Sequence, residues 1–262
     1  MKSPRAPTLR RLALLLVVSF VALQLYFLAR IALMAIVDPQ STTFQRSEAW
    51  RLALDPRPHG WHQEWTGYGG ISAHLKRAVI AAEDSGFTEH SGVEWDALEK
   101  AWEKNERADA IAEQSAERAQ QRAAKPGAKA AAGARAPAGP KVVGGSTITQ
   151  QLAKNLFLSG ERNFLRKGQE LVLSYELEAI LGKRRILEIY LNDVEWGEGV
   201  FGAEAAARRY FGVAAAALSP QPAAQLAVML PAPKRFEKRP GSGYVVGRAA
   251  TIVARMGRVD VP

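Results

Sequence analysis

The sequence predicts a mainly α-helical domain behind an N-terminal membrane-spanning helix. Three observations carry this. Leu12 to Ala29 contain no charged side chain, and apolar character resumes after Arg30 through Val37, enough to cross ~30 Å of hydrocarbon as a helix. Apolar residues further along recur at three- and four-residue steps. Strand-type alternation is nearly absent.

The 262 residues allow one sizeable domain plus an appendage, and 47% hydrophobic content is compatible with a real core. There is no cysteine, which excludes disulfides, thiolate chemistry and zinc–cysteine sites. Lys+Arg 35 against Asp+Glu 26 gives a net charge of +9, suited to a polyanion or an anionic membrane surface.

Residues 1–38 read as a cytoplasmic N-terminus and anchor, and 39–262 as the domain. Lys2, Arg5, Arg10 and Arg11 precede the apolar run, so the positive-inside bias keeps the N-terminus cytoplasmic and sends the body across the membrane. A cleaved signal peptide is the competing reading, but the run is long and no Ala-x-Ala type site lies near its end. From Asp38 to Gly70 the prolines, glycines, Trp50, Trp61 and Trp65 are too irregular for one long helix. Those tryptophans suit either the headgroup layer or packing on the domain.

Ile71, Leu75, Ala78, Val79 and Ala82 then mark a helix that should stop near Ser85-Gly86. Its last turn carries Glu83 and Asp84, where the helix dipole disfavours carboxylates. A solvated surface pair would look the same in isolation. Residues 106–141 read as a low-complexity insertion without its own core, helical at most in its first half. Its cations alternate with Glu106, Asp109, Glu113 and Glu117 and no aromatics interleave, which argues against a nucleic-acid arm.

Gly144-Gly145-Ser146-Thr147 permit a turn and a capped helix start. On that helix Thr147, Gln151, Lys154 and Leu158 share one stripe, while Ile148, Leu152 and Leu156 face the core. Free amides with a lysine two turns along suit a phosphate or pyrophosphate, although an ordinary amphipathic helix would read alike. Phe164 to Leu181 form the next helix, with Arg166, Glu170, Ser174 and Glu178 along one face. A short helix, Lys183 to Asn192, is followed by the glycine-rich loop Trp196 to Gly202. Helices at Ala203 to Phe211 and Pro222 to Leu230 complete the series, the second ended by Pro231 and Pro233.

No G-x-x-x-x-G-K-S/T, H-E-x-x-H, G-x-S-x-G or Ser-x-x-Lys occurs, and the four histidines are too scattered to propose a metal site. What remains is Glu83 and Glu170 on separate helices, with Lys154, Arg166 and Lys167 nearby in sequence. That set fits sugar transfer from a pyrophosphate carrier. The acceptor hydroxyl must lose a proton to a positioned carboxylate, while the departing pyrophosphate needs cations rather than a proton donor. A lysozyme-type hydrolase instead needs an acid for its poor leaving group.

Glu83-Asp84-Ser85-Gly86-Phe87-Thr88-Glu89-His90-Ser91-Gly92 resembles the E-D-x-x-F-x-x-H-x-G motif of peptidoglycan glycosyltransferases. Gly144 to Asn155, Arg166-Lys167-Gly168-Gln169-Glu170, Arg185 to Gly202 and Gln225 to Pro231 resemble the family's other motifs in order, and the short chain resembles its monofunctional biosynthetic branch. The resemblance implies a lysozyme-like α-helical domain that polymerises lipid II into glycan strands at the outer face of the inner membrane, on the periplasmic side. By the same resemblance Glu83 is the general base, supported by Asp84, Phe87 and His90. Ser146, Thr147, Gln151, Lys154 and Asn155 contact sugar and pyrophosphate, and Arg166 and Lys167 clamp the donor pyrophosphate. Glu170 is the second essential acid, orienting the clamp or holding a divalent cation (Mg or Mn) that is not obligatory. Tyr190 and Asn192 match positions nearer to fold support, and Lys234 is a weak counterpart of a lysine seen after the fifth motif in bifunctional relatives. Other cell-wall synthases are the implied protein partners. A glycan-cleaving lytic transglycosylase or lysozyme, and an inactive membrane-anchored scaffold, are the readings from other classes.

Overall fold

The computed structural model describes residues 5–96, 145–158 and 164–262, with 98–100, 103–104, 106–108, 110–111 and 114–115 between them. The chain divides into two compact units, Met1–Val93 with Thr147–Pro262, and Glu94–Ser146. Much of the stretch expected to be low in complexity lies outside the described residues; the described positions at 106–108, 110–111 and 114–115 are helical. In that second unit Arg107 pairs with Glu103 one turn away, on an exposed surface.

In the first unit α1 (Arg5–Met34) runs through the apolar segment. Between Leu12 and Leu25 its large side chains stand exposed, whereas Phe27, Ile31 and Met34, at four- and three-residue steps, are buried. The helix is therefore bare along most of its length and docked at its end. α2 (Thr43–Leu54) was not read from sequence. A capping box starts it, Thr42 Oγ1 accepting from Gln45 N while Gln45 Oε1 accepts from Thr42 N, but its buried side chains are only Gln45 and Leu52.

Ser72 caps α3 (Ala73–Glu83), accepting from the amides of His74 and Leu75. The helix ends at Glu83 itself, earlier than expected, and Ala82 faces solvent rather than the core. α4 (Ile148–Phe157) begins at Thr147, whose side chain and that of Gln150 form a second capping box. α5 (Phe164–Asp193) contains the break expected between two helices. Gly182 sits there at φ 69°, ψ 164°, a conformation essentially reserved for glycine.

The loop expected from Trp196 to Gly202 is instead part of a small sheet. β2 (Glu195–Gly197) pairs antiparallel with β3 (Val200–Phe201), which pairs parallel with β1 (His62–Gln63), giving the order β1-β3-β2. Strands of two or three residues leave no alternation to read. α6 (Ala203–Phe211) and α7 (Pro220–Met229) follow. Pro233, expected only to stop the preceding helix, opens the short α8 (Pro233–Phe236), as proline is suited to do at a first turn. α9 (Gly243–Met256), also unread from sequence, buries Val245, Ala249, Ile252 and Met256.

The core joins α3, α7 and α9 on one side and α4 with α5 on the other, around the fully buried Phe87, Tyr190 and Trp196. Asn192 accepts the amide of Thr66 and donates to Thr66 O and Glu188 O, stitching the segment after β1 to α5. Lys234 is occupied by Glu48 at 2.5 Å and Glu195 at 3.4 Å. Of the tryptophans, Trp65 packs on the core under the Arg185 guanidinium, Trp61 lies 4.6 Å from Phe201, and Trp50 is 70% exposed.

Candidate active site

Glu83 is the last residue of α3 and Asp84 its C-cap, so the chain turns there and the two carboxylates part. Asp84 is buried. Its Oδ2 accepts the amide of Ile148, the first residue of α4, at 2.9 Å, and its Oδ1 lies 2.9 Å from His90 Nε2. A helix N-terminus offers unpaired amides and a positive dipole end, which suits a carboxylate. His90 Nδ1 accepts the Gly92 amide at 3.1 Å, so the ring proton sits on Nε2 and is donated to Asp84. Gly92 O then accepts the Thr147 hydroxyl at 2.6 Å, closing a ring of contacts between this loop and the start of α4. Phe87 is fully buried beneath it, edge-on to His90, with Lys183 Nζ 4.5 Å from its ring centroid. Gly92 has φ +88°, and a Cβ there would stand 3.1 Å from Ser174 O, so the loop presses directly on the backbone of α5.

Glu83 is half-buried and faces α4. Gln151 Nε2 donates to its Oε2 at 3.0 Å, and Gln151 Oε1 accepts the Tyr190 hydroxyl at 3.0 Å. Burial raises the proton affinity of Glu83 above the usual carboxylate range, and Asp84 adds to this; the Gln151 hydrogen bond and Lys154 oppose it. A carboxylate so balanced can take a proton and release it, which is what a general base must do. Lys154 is exposed three residues after Gln151, and Asn155 is half-buried four residues after it, on the same side of α4.

The second group lies at the start of α5. Glu170 is 3% exposed, yet both its oxygens are engaged: Arg166 Nη1 donates to Oε2 at 2.8 Å, and Lys167 Nζ donates to Oε1. This is no exposed i,i+4 pair, because one partner is buried. Ser174 Oγ donates to Glu170 O at 2.7 Å, and Ser174 O is the atom Gly92 presses on. The two groups are thus linked through one turn of α5, although Glu83 and Glu170 share no hydrogen bond. Ser146, half-buried, belongs to the second unit.

Two contributors carry no local signal for what they do at the site: Tyr190, expected only to support the fold, and Gly92. Tyr190 occupies an apolar-spaced core position, and nothing in the sequence reveals that its hydroxyl reaches Gln151. Gly92 was read only as a motif position; its proximity to Ser174 is a tertiary fact. A divalent cation at Glu170 does not fit the arrangement, since the carboxylate already holds two cationic side chains and a third positive charge would have to displace one.

In this helical fold a carboxylate at a helix end suits proton abstraction, and the exposed Lys154 with the Arg166–Lys167–Glu170 cluster suits an anionic leaving group. The chain matches the family model described as Transglycosylase over residues 53–125 and 121–257. It is 46% identical over 244 residues to proteins named biosynthetic peptidoglycan transglycosylase from Burkholderia orbicola and Burkholderia lata, covering 93% of this chain and 87% of each relative. The relative of the same name from Burkholderia thailandensis is also 46% identical, over 93% of this chain and 84% of its own length. The chain belongs to the transglycosylase family.

Proposed function

We propose that the protein is a peptidoglycan glycosyltransferase that polymerises lipid II, with Glu83 as the general base. The observation that carries the proposal is the Glu83 carboxylate itself, half-buried, raised in proton affinity and hydrogen-bonded by Gln151, with Lys154 close enough to act on its charge. In the proposed step Glu83 accepts the proton of the acceptor 4-hydroxyl as that oxygen bonds to the donor's anomeric carbon. The bond from that carbon to the pyrophosphate breaks, and undecaprenyl pyrophosphate leaves. One displacement inverts an α-linked donor into a β-1,4 bond. Lys154, Arg166 and Lys167 stabilise the charge gathering on the leaving group, and Glu170 holds the last two cations in register. Gln151 and Asn155 line the helix along which sugar and pyrophosphate would lie, whereas Thr147, expected to contact substrate, is buried as the helix cap with its hydroxyl given to Gly92 O.

The exposed apolar surface of α1 between Leu12 and Leu25 supports a membrane-spanning role for its Leu9–Met34 segment, whose most apolar 18-residue window has mean hydropathy 2.5. With Arg10 and Arg11 on the cytoplasmic side, the catalytic unit would face the periplasm from the inner membrane, where lipid II and the growing glycan are presented. Other cell-wall synthases are proposed partners of the same surface of the cell.

The test is the full-length protein in detergent with labelled lipid II, products resolved on gels. The wild type yields glycan ladders, while Glu83→Gln keeps its unfolding temperature and makes none; an active Glu83→Gln overturns the reading. Release of muropeptides from purified sacculi would favour the glycan-cleaving alternative instead.

A further inference from the structure

We infer that Tyr190 is a positioning residue for Glu83, its hydroxyl fixing which end of the Gln151 amide faces the carboxylate. This rests on Glu83 being the base.

A glutamine amide has a donor end and an acceptor end of nearly the same shape, so its orientation is set by its partners. Here the partners are unambiguous. Tyr190 is 1% exposed, on α5 beyond the Gly182 break, and its hydroxyl lies 3.0 Å from Gln151 Oε1. Burial, with the charges of Glu83 and Asp84 nearby, pushes the phenol well above its ordinary range, so it keeps its proton and is able to donate it in a hydrogen bond. The structure sets the carbonyl end of the amide against it, so in that contact the hydroxyl is the donor. The NH₂ is left to face Glu83 Oε2 at 3.0 Å, where it favours the ionised, proton-accepting form.

Removing the hydroxyl alone leaves Gln151 Oε1 without that donor. The amide is then free to turn and present an acceptor to Glu83, which favours the protonated acid, a form unable to act as a base. The other groups bearing on Glu83 are Asp84 next to it, Lys154 from α4 and Tyr190 from α5. A phenylalanine at 190 leaves Asp84 and Lys154 untouched and carries no charge of its own, so a change in the titration of activity reports the amide. A purely structural role for Tyr190 would lower the rate equally at every pH.

The experiment is the initial rate of glycan synthesis from labelled lipid II by the full-length protein in detergent, across pH 5.5 to 9. For Tyr190→Phe the acid limb of the profile should move up by about one unit, a loss of roughly tenfold at the acid end that is largely recovered at the alkaline end. An acid limb that stays in place overturns the inference, whatever the absolute rate. Gln151→Leu, which leaves the Tyr190 ring undisturbed, should move the limb in the same direction, and combining the two should move it no further than Gln151→Leu alone. Additive movements, or an unmoved limb in Gln151→Leu, also overturn it. Should Tyr190→Phe fail to fold, Gln151→Leu decides the matter. Glu83→Gln separates the two levels. If it is inactive while Tyr190→Phe shows an unmoved limb, only the positioning role falls, whereas an active Glu83→Gln removes the base and this inference with it.

Discussion

The carboxylate of Asp84 accepts the amide of Ile148 at 2.9 Å, tying the end of α3 to the first residue of α4 across 64 positions of chain. His90 donates to its other oxygen. Two donors converge on one buried side chain, so Asp84→Asn can satisfy only one of them and turns an NH₂ toward the other. That mismatch should cost about 1–3 kcal/mol. It also loosens the register between Glu83 and Gln151. Thermal unfolding in detergent should show a lower midpoint, and glycan synthesis should fall by about tenfold or more. Wild-type stability in Asp84→Asn would remove this tie from the account of the site.

Glu170 presents a different dependence, because it is buried and flanked by two cations on its own helix. Glu170→Gln removes the counter-charge that fixes Arg166 and Lys167, and kcat/KM for lipid II should drop by about 10²-fold. Arg166→Ala should be comparably costly. Combined, the two changes should cost little more than either alone, since residues that act as a unit are non-additive. Steady-state kinetics on the two single variants and the double variant checks this; additive losses would mean that the acid and the arginine work separately.

The parts of the fold legible in sequence are those whose signals are local. Thr147 announces a helix start by its capping chemistry, apolar spacing from Ile71 marks α3, and the separation of Phe164–Leu181 from Lys183–Asn192 matches the break that Gly182 makes. α2 carries no apolar stripe to read, because its buried face consists of Gln45 and Leu52, only one of them apolar. The sheet was missed because its strands hold two or three residues and depend on partners far along the chain. Glu83, Gln151 and Glu170 stood out by residue type and motif. The bonds that organise them did not, because Asp84 to Ile148 and Tyr190 to Gln151 exist only once α3, α4 and α5 have met.

Gly92 is where such a meeting leaves no room. With φ +88° and Ser174 O 3.1 Å from a hypothetical Cβ, Gly92→Ala combines backbone strain with a clash against α5. The cost should be about 1–3 kcal/mol. The residue also supplies the amide to His90 and the carbonyl to Thr147, so the loop that follows Glu83 must shift. Both the unfolding midpoint and the rate of glycan synthesis should fall, read by calorimetry and the lipid II assay. Gly243→Ala, where a Cβ meets nothing within 4 Å, serves as the neutral comparison.

Asp193 makes stability itself depend on pH. Its side chain is buried at the end of α5, accepts a long 3.4 Å bond from Gln45 Nε2, and is pushed by burial from 3.8 to about 8. Between those values the folded chain holds a proton that the unfolded chain has released. Folding then binds the proton, and stability falls as pH rises from about 4 toward 8. Glu195, buried and pushed to about 7, acts with the same sign. Asp193→Asn cannot ionise, so its unfolding midpoint should decline less steeply with pH, leaving only the share due to Glu195 and other groups. The amide keeps an acceptor for Gln45, and the variant should be close to wild type at pH 5 and more stable than it at pH 8. Unfolding curves in detergent at pH 5, 6, 7 and 8 give the comparison. Parallel slopes in the two proteins would mean that Asp193 is ionised in the folded chain throughout that range.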